Sequence, residues 1–123
     1  MNTIKRKILI VDDDIHLLHT TKELLEIEGY EVTIQGNSLG TIKNIIKSRP
    51  DLVLLDINMP VLSGEKIAEI LTNEFWNRTT KILFHSSNDE DTLRKAVKTY
   101  GVNGYICKGN LSELRRKVEL QLN

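Results

Sequence analysis

The residues with the greatest chemical capacity in this chain are carboxylates, a lysine and two hydroxyls, each set just after a short apolar run. Asp12, Asp13 and Asp14 follow Ile8-Leu9-Ile10-Val11, and Asp56 follows Leu52-Val53-Leu54-Leu55. The run from Lys81 to Phe84 leads to Ser86 and Ser87, and Tyr105-Ile106-Cys107 leads to Lys108. Carboxylates held close together repel one another unless a cation lies between them. Hard oxygen ligands on a rigid frame suit Mg²⁺, which keeps several waters and usually takes only one or two carboxylates. An Asp is also a competent nucleophile toward phosphorus, giving an aspartyl phosphate. A lysine and a hydroxyl beside it would bind the oxygens of a tetrahedral anion, and charge neutralisation with positioning supplies most of the catalysis in such a transfer. The set points to phosphoryl transfer onto a carboxylate.

Those groups work together only if the fold brings them to one place. Short apolar runs alternate with helical patterns along the chain, which predicts a parallel α/β sheet. Ile8 to Val11 and Leu52 to Leu55 are continuously apolar, as strands covered on both faces are. Ile15, Leu17, Leu18, Leu24, Leu25 and Ile27 recur at helical spacing up to Gly29. A weaker strand follows at Tyr30 to Ile34. Ser38 is the expected cap of a second helix bearing Leu39, Ile42, Ile45 and Ile46, which Pro50 ends. Ser63-Gly64 opens a third helix through Ile67, Ala68, Ile70 and Leu71, extending toward Phe75 and Trp76. A fourth helix spans Asp89 to Tyr100, and Gly101 and Gly104 bracket the turn into the last strand. Asn110 is the candidate cap of a final helix beginning near Leu111. Five β/α units result. Parallel crossovers are right-handed, and such sheets bind ligands at the carboxyl ends of their strands. Asp12, Asp13, Asp56, Ser86 and Lys108 all stand at that edge.

Composition narrows the class. A chain of 123 residues is expected to form one domain, residues 1–123. It is 40% apolar and 28% charged, with 17 basic and 17 acidic residues that cancel. No basic surplus is present to hold nucleic acid or an anionic membrane. No apolar run approaches the roughly 20 residues of a membrane span. The basic start MNTIKRK precedes only four apolar residues and then three acids, unlike a secretory signal. The single cysteine, Cys107, excludes an internal disulfide framework. The expected location is the cytoplasm.

The segments ILIVDDD, DLVLLDINMP followed by SG, FHSSND and GYICK resemble the motifs of bacterial two-component receiver domains, in the same order and at matching intervals. The resemblance covers Lys7 to Leu120, nearly the whole chain. It implies a flavodoxin-like fold: a doubly wound, five-stranded parallel sheet of order 2-1-3-4-5 with five helices. It also implies a phosphoacceptor signalling switch of a phosphorelay, not an enzyme with a separate substrate. A phosphoryl group would pass to Asp56 from a histidine kinase or phosphotransfer protein, with Mg²⁺ as cofactor. The surface of the fourth helix, fifth strand and fifth helix would then change and dock a downstream protein, with phosphorylation-dependent dimerisation as one route. Position by position, Asp13 resembles the direct metal ligand and Asp12 its partner acting chiefly through water. Asn58 resembles the residue whose backbone carbonyl completes the metal site. Ser86 resembles the hydroxyl that bonds the phosphoryl group, Lys108 the lysine that pairs with it, and Tyr105 the aromatic residue that follows the switch. Asn58 and Asn88 fall where side chains line the path of the hydrolysing water and tune the phosphoryl lifetime. One position departs: Gly109 stands where receivers usually carry proline, often after a cis peptide bond. A looser Lys108 loop is expected, because without proline the cis preference falls sharply.

Blander readings compete for several residues. Asp14 is the expected N-cap of the first helix, not a metal ligand. His16 and His19 are read as surface side chains lacking a third ligand, and His85 as a strand residue near the site. Cys107 is expected to act as a small hydrophobe in a buried strand. Phe75 and Trp76 are expected to cover the core edge. Glu113, Arg115, Arg116, Lys117 and Glu119 form a solvated face by default, with partner contact as the alternative. A haloacid-dehalogenase-type phosphatase would need a second Asp where Asn58 stands, and dinucleotide binding would need a GxGxxG after the first strand. A phosphorylation-free interaction module is disfavoured by the intact acids, hydroxyl and lysine. No effector segment follows the last helix, so a stand-alone receiver and a piece of a longer regulator or hybrid kinase are both open.

Overall fold

Ile8, Leu9, Ile10 and Val11 are all buried, and so are Leu52 to Leu55. Strands with no solvent face must lie in the middle of a sheet with helices on both sides. The computed structural model, which describes residues 4–75 and 79–123, has that arrangement. Its strands are β1 (Lys7–Val11), β2 (Glu31–Gln35), β3 (Leu52–Leu55), β4 (Lys81–Ser86) and β5 (Gly104–Cys107). The helices are α1 (Ile15–Ile27), α2 (Thr41–Ser48), α3 (Gly64–Ile70), α4 (Glu90–Tyr100) and α5 (Leu111–Leu122). The sheet runs β2-β1-β3-β4-β5, the order that the family resemblance implies, and every pair is parallel, as the alternation of apolar runs and helical patterns predicts.

Alternate residues of each strand feed two cores, since successive side chains point to opposite faces. Leu9, Val11, Val53, Leu55, Ile82 and Phe84 pack with Ile45, Ile67 and Leu93, from α2, α3 and α4. Ile8, Ile10, Leu52, Leu54, Leu83 and Ile106 pack with Leu18, Leu25, Leu114 and Val118, from α1 and α5. From β1 the chain steps outward to β2, then returns across to β3. The strand order therefore reverses between β1 and β3, and the crevice at their carboxyl ends is the ligand position of an open α/β sheet.

Asp14, Ser63, Asp89 and Asn110 each cap a helix by accepting a backbone N–H from three residues on. Ser38 does not. α2 starts after Gly40, which has a left-handed conformation and no side-chain cap, because the Ser38 hydroxyl is bonded elsewhere. α3 is also shorter than its apolar spacing suggests: beyond Ile70 the chain widens into a π-helical turn, Leu71–Phe75. There the Thr72 hydroxyl donates to the Ala68 carbonyl at 2.8 Å, competing with the backbone ladder. Trp76 and the Phe75 side chain, expected to cover the core edge, lie outside what is described.

Candidate functional site

Strand pairing fixes the two principal acids. The Asp12 N–H donates to the Gln35 carbonyl at 3.1 Å, and the Asp56 N–H to the Val11 carbonyl at 3.0 Å. Both residues are almost wholly buried, at 1% and 2% exposure, whereas Asp13 is exposed. One carboxylate oxygen from each of Asp12, Asp13 and Asp56 lies within 4.8 Å of the others. Among the described residues no histidine joins this cluster; His16 and His19 are exposed on α1. Asp14 serves its helix, accepting from the Leu17 N–H at 3.1 Å.

Lys108 reaches the same point from β5. Its N–H donates to the Ser86 carbonyl at 2.9 Å, and its Nζ lies 2.9 Å from Asp12 Oδ2 and 3.3 Å from Asp56 Oδ2. The Lys108–Gly109 peptide is trans, and Gly109 turns the chain with φ +90°. Proline cannot adopt that angle, so this loop follows a different path from a proline-bearing one.

The electrostatics follow from burial. Asp56 is pushed up to about 6, first by burial and then by the neighbouring Asp12 charge, against the pull of Lys108. Burial works against the Lys108 ammonium, but its contacts with Asp12 and Asp56 outweigh it and raise the lysine. His85, buried on β4, is driven down to about 4 by burial and by Lys108, so its imidazole is neutral at pH 7. The cluster thus has three carboxylates against one ammonium. Asp12 Oδ1 accepts the Asp14 N–H at 2.9 Å, while buried Asp12 Oδ2 has no well-directed hydrogen bond. An oxygen-only donor set with surplus negative charge fits a hard divalent cation such as Mg²⁺.

The hydroxyl and amides named from sequence converge beside these acids. The Asn58 N–H donates to Asp56 Oδ1 at 3.2 Å. Asn58 Nδ2 donates to Asn88 Oδ1 and, at 3.3 Å, to Ser86 Oγ. Ser86 Oγ in turn donates to Asn88 Oδ1 at 2.7 Å. Asp56, Asn58, Ser86 and Asn88 are therefore one connected set, and Ser86 is fully buried within it.

Tyr105 sits farther along β5 and is held from two sides. Its hydroxyl donates to Glu90 Oε1 at 2.6 Å, which together with burial raises its pKa. Lys117 lies 4.0 Å over the Tyr105 ring and donates from Nζ to the Tyr105 carbonyl at 2.6 Å. Lys117 is thus not merely part of a solvated face; the helical charge pattern concealed it because its target lies on another element. Cys107 is half-buried and packs against the core, rather than being enclosed by it. Gly64 is a further site residue that its helix-opening role disguised. A Cβ there would come 2.1 Å from the Asp56 carbonyl oxygen, so only glycine lets α3 start against the strand end.

The sequence profile of the response regulator receiver domain matches residues 8–119. The chain belongs to that family. Among curated proteins, the transcriptional regulatory protein PrrA of Mycobacterium leprae is 37% identical over 94% of this chain and 49% of its own length. The CAI-1 autoinducer sensor kinase/phosphatase CqsS of Vibrio cholerae is 31% identical over 85% of this chain and 15% of its own. The chain thus spans about half or less of the length of these two relatives. Among solved structures, the response regulator TrrA of Thermotoga maritima, in complex with Mg²⁺-BeF, is 32% identical with a TM-score of 0.82. That match covers 95% of this chain and 99% of TrrA. The receiver domain is a phosphoacceptor switch of two-component signalling rather than an enzyme acting on a separate substrate, and the Asp12-Asp13-Asp56 cluster is its acidic pocket, a triad of the kind that suits Mg²⁺.

Proposed function

We propose that Asp56 is the phosphoacceptor and that the surrounding residues divide the work as follows. Asp12, Asp13, Asp56 and the Asn58 carbonyl hold Mg²⁺, which when bound neutralises charge on the phosphoryl oxygens. The Asp56 carboxylate attacks phosphorus, the P–N bond to the donor imidazole breaks, and the imidazole leaves with the bonding electrons. Lys108, already shared between Asp12 and Asp56, moves to a phosphoryl oxygen as negative charge grows there. Ser86 turns from Asn88 to another of those oxygens. Asn58 and Asn88, bonded to each other at the mouth of the site, position the hydrolysing water and set how long the phosphoryl group persists.

The output reading rests on Tyr105. Moving Ser86 draws the loop after β4, and Tyr105 leaves Glu90 and rotates inward, reshaping α4, β5 and α5. This is a population shift between two packings of one fold. The donor is a histidine kinase or a phosphotransfer protein. The receiver reads out through a downstream protein, docked directly or through phosphorylation-dependent pairing, with neither nucleic acid nor membrane as its own ligand. Two features support this: the balanced charge, and the fact that no helix among the described residues is long and apolar enough to cross a membrane. We read residues 1–123 as one receiver unit acting in the cytoplasm.

The observation that carries the proposal is the buried Asp56 carboxylate sharing one lysine with Asp12 inside a cation-fitting cluster. Incubation with Mg²⁺ and a small-molecule phosphodonor, followed by intact mass, tests it. Wild type should gain one phosphoryl group and Asp56→Asn none. An undiminished gain in Asp56→Asn sinks the assignment. Ser86→Ala should still be phosphorylated but show smaller chemical-shift changes over residues 89–120. Equal changes would break the proposed coupling.

A further inference from the structure

We infer that Ser38 is a positioning residue for the acidic pocket, holding the Asp56–Gly64 loop in a strained turn at Val61 through its buried hydroxyl. The inference rests on the proposed role of that pocket and adds a residue from a different loop.

Ser38 lies between β2 and α2 and is 3% exposed. Its Oγ donates to the Pro60 carbonyl at 2.9 Å and accepts the Leu62 N–H at 3.2 Å. Those two groups are also bonded to each other, Leu62 N–H to Pro60 carbonyl at 2.8 Å. A bond from one residue to the next but one closes a γ-turn about Val61, whose φ is +72°. The positive-φ γ-turn is rare and strained for any side chain, and a β-branched residue there is an outlier. Packing does not offset the strain, because Val61 is 84% exposed. A conformation of this kind persists only where its surroundings over-determine it. The Ser38 hydroxyl, tied to both ends of the turn, supplies that determination.

The turn matters because of what precedes it. Asn58 stands two residues before Pro60, and its N–H and side chain bind Asp56, Ser86 and Asn88. At its far end the loop is tied back by the Gly64 N–H, which donates to the Ile57 carbonyl at 3.0 Å. Between those two ties the chain path is decided at Val61. If the turn opens, Asn58 loses its place relative to Asp56, so Ser38 carries the position of the β2–α2 connection into the site.

The test uses the full chain as wild type, Ser38→Ala, Val61→Gly and the double variant. In metal-free protein, amide hydrogen exchange at Leu62 should accelerate about 5- to 10-fold in Ser38→Ala. Mg²⁺ titration followed by amide shifts should show affinity weakened by a similar factor of about 5 to 10. Glycine makes the turn without strain, so Val61→Gly should raise Tm, and in its background Ser38→Ala should cost no more than about 3-fold in affinity. A residue that merely fills space would lower Tm equally in both backgrounds and leave Mg²⁺ affinity and Leu62 exchange unchanged; that outcome overturns the inference. Should Ser38→Ala fail to fold, the single Val61→Gly variant still decides, because a lower Tm there contradicts the strain. If wild type takes no phosphoryl group, the reading of Asp56 fails, while Leu62 exchange still judges Ser38.

Discussion

The loops after β3 and β5 each deliver a charged group to the acidic rim, but they are held by different means. After β3, the chain from Asp56 to Gly64 is fixed through its backbone. Asn58 N–H binds Asp56, Ser38 grips Pro60 and Leu62, and Gly64 N–H returns to Ile57. Gly64 also lies so close to the Asp56 carbonyl that no Cβ fits. After β5, Gly109 and Asn110 are exposed and nothing lies within 4 Å of where a Gly109 Cβ would stand. What aims Lys108 is its own N–H on Ser86 and the attraction of two carboxylates. The proposed nucleophile, Asp56, is placed by rigid packing, and the Lys108 cation by the field it sits in. A carboxylate that must attack in line tolerates little displacement, whereas a flexible ammonium needs only to follow charge.

The largest expected effect therefore comes from Gly64→Ala. The added methyl would stand 2.1 Å from the Asp56 carbonyl oxygen and 3.0 Å from the Ile57 Cα, both backbone atoms that cannot swing aside. Overpacking of this kind costs about 3 kcal/mol, measured by chemical denaturation. Displacing Asp56 should slow phosphoryl gain by roughly 100-fold, measured by intact mass over time. If Gly64→Ala folds and reacts like wild type, the β3 loop is not the rigid member of the pair.

This contrast also explains what was legible in the sequence. Apolar runs alternating with helical spacing give a parallel α/β sheet and bring Asp12, Asp56, Ser86 and Lys108 to one edge, because parallel strands share their carboxyl ends; the strand order comes only with the family resemblance. The caps at Asp14 and Asn110 are local signals and are read correctly, while Ser63 and Asp89, read only as helix starts, prove to be caps as well. Ser38 misleads because a serine before an apolar helical stretch also reads as a cap; its true partners lie 22 and 24 residues away. Lys117 and Glu90 are hidden for the same reason, since their shared target Tyr105 is on another element. The π-helical turn after α3 has no periodic signature to find. Long-range hydrogen bonds to backbone are what the pattern of residue types does not encode.

A middle-sized effect tests how the buried nucleophile is tolerated. Asp56, raised to about 6 against an ordinary 3.8, binds a proton more tightly folded than unfolded. Its contribution to stability therefore grows as pH falls from above 6 toward 3.8. His85, lowered to about 4 from 6.5, does the opposite: the unfolded chain takes the proton first, and stability is lost as pH falls through that window. In wild type the two contributions oppose one another between pH 6 and pH 4. Asp56→Asn removes only the first. The variant should exceed wild type in stability at pH 7 by about 1–2 kcal/mol, after discounting for solvent screening at the rim. From pH 6.5 down to 4 it should then lose about 3 kcal/mol through His85, more steeply than wild type does. Denaturation curves at pH 7, 5.5 and 4.5 would show this, and parallel pH profiles for the two proteins would contradict it.

The smallest effect belongs to Gly109→Ala, and it is the sharpest check on the comparison. Gly109 has φ +90°, an angle that suits glycine, but open space where a Cβ would go. The cost is then backbone strain alone, about 1 kcal/mol, with no collision to propagate. Because Lys108 is drawn by Asp12 and Asp56 rather than placed by its loop, its ammonium should still reach both carboxylates. Phosphoryl gain should stay within about threefold of wild type, since a loss near 1 kcal/mol in the folded state does not act on the transfer itself. Both glycine variants can be measured in the same denaturation and mass assays. If Gly109→Ala slows transfer as much as Gly64→Ala, the β5 loop aims Lys108 by geometry after all, and its charge alone does not suffice to place it.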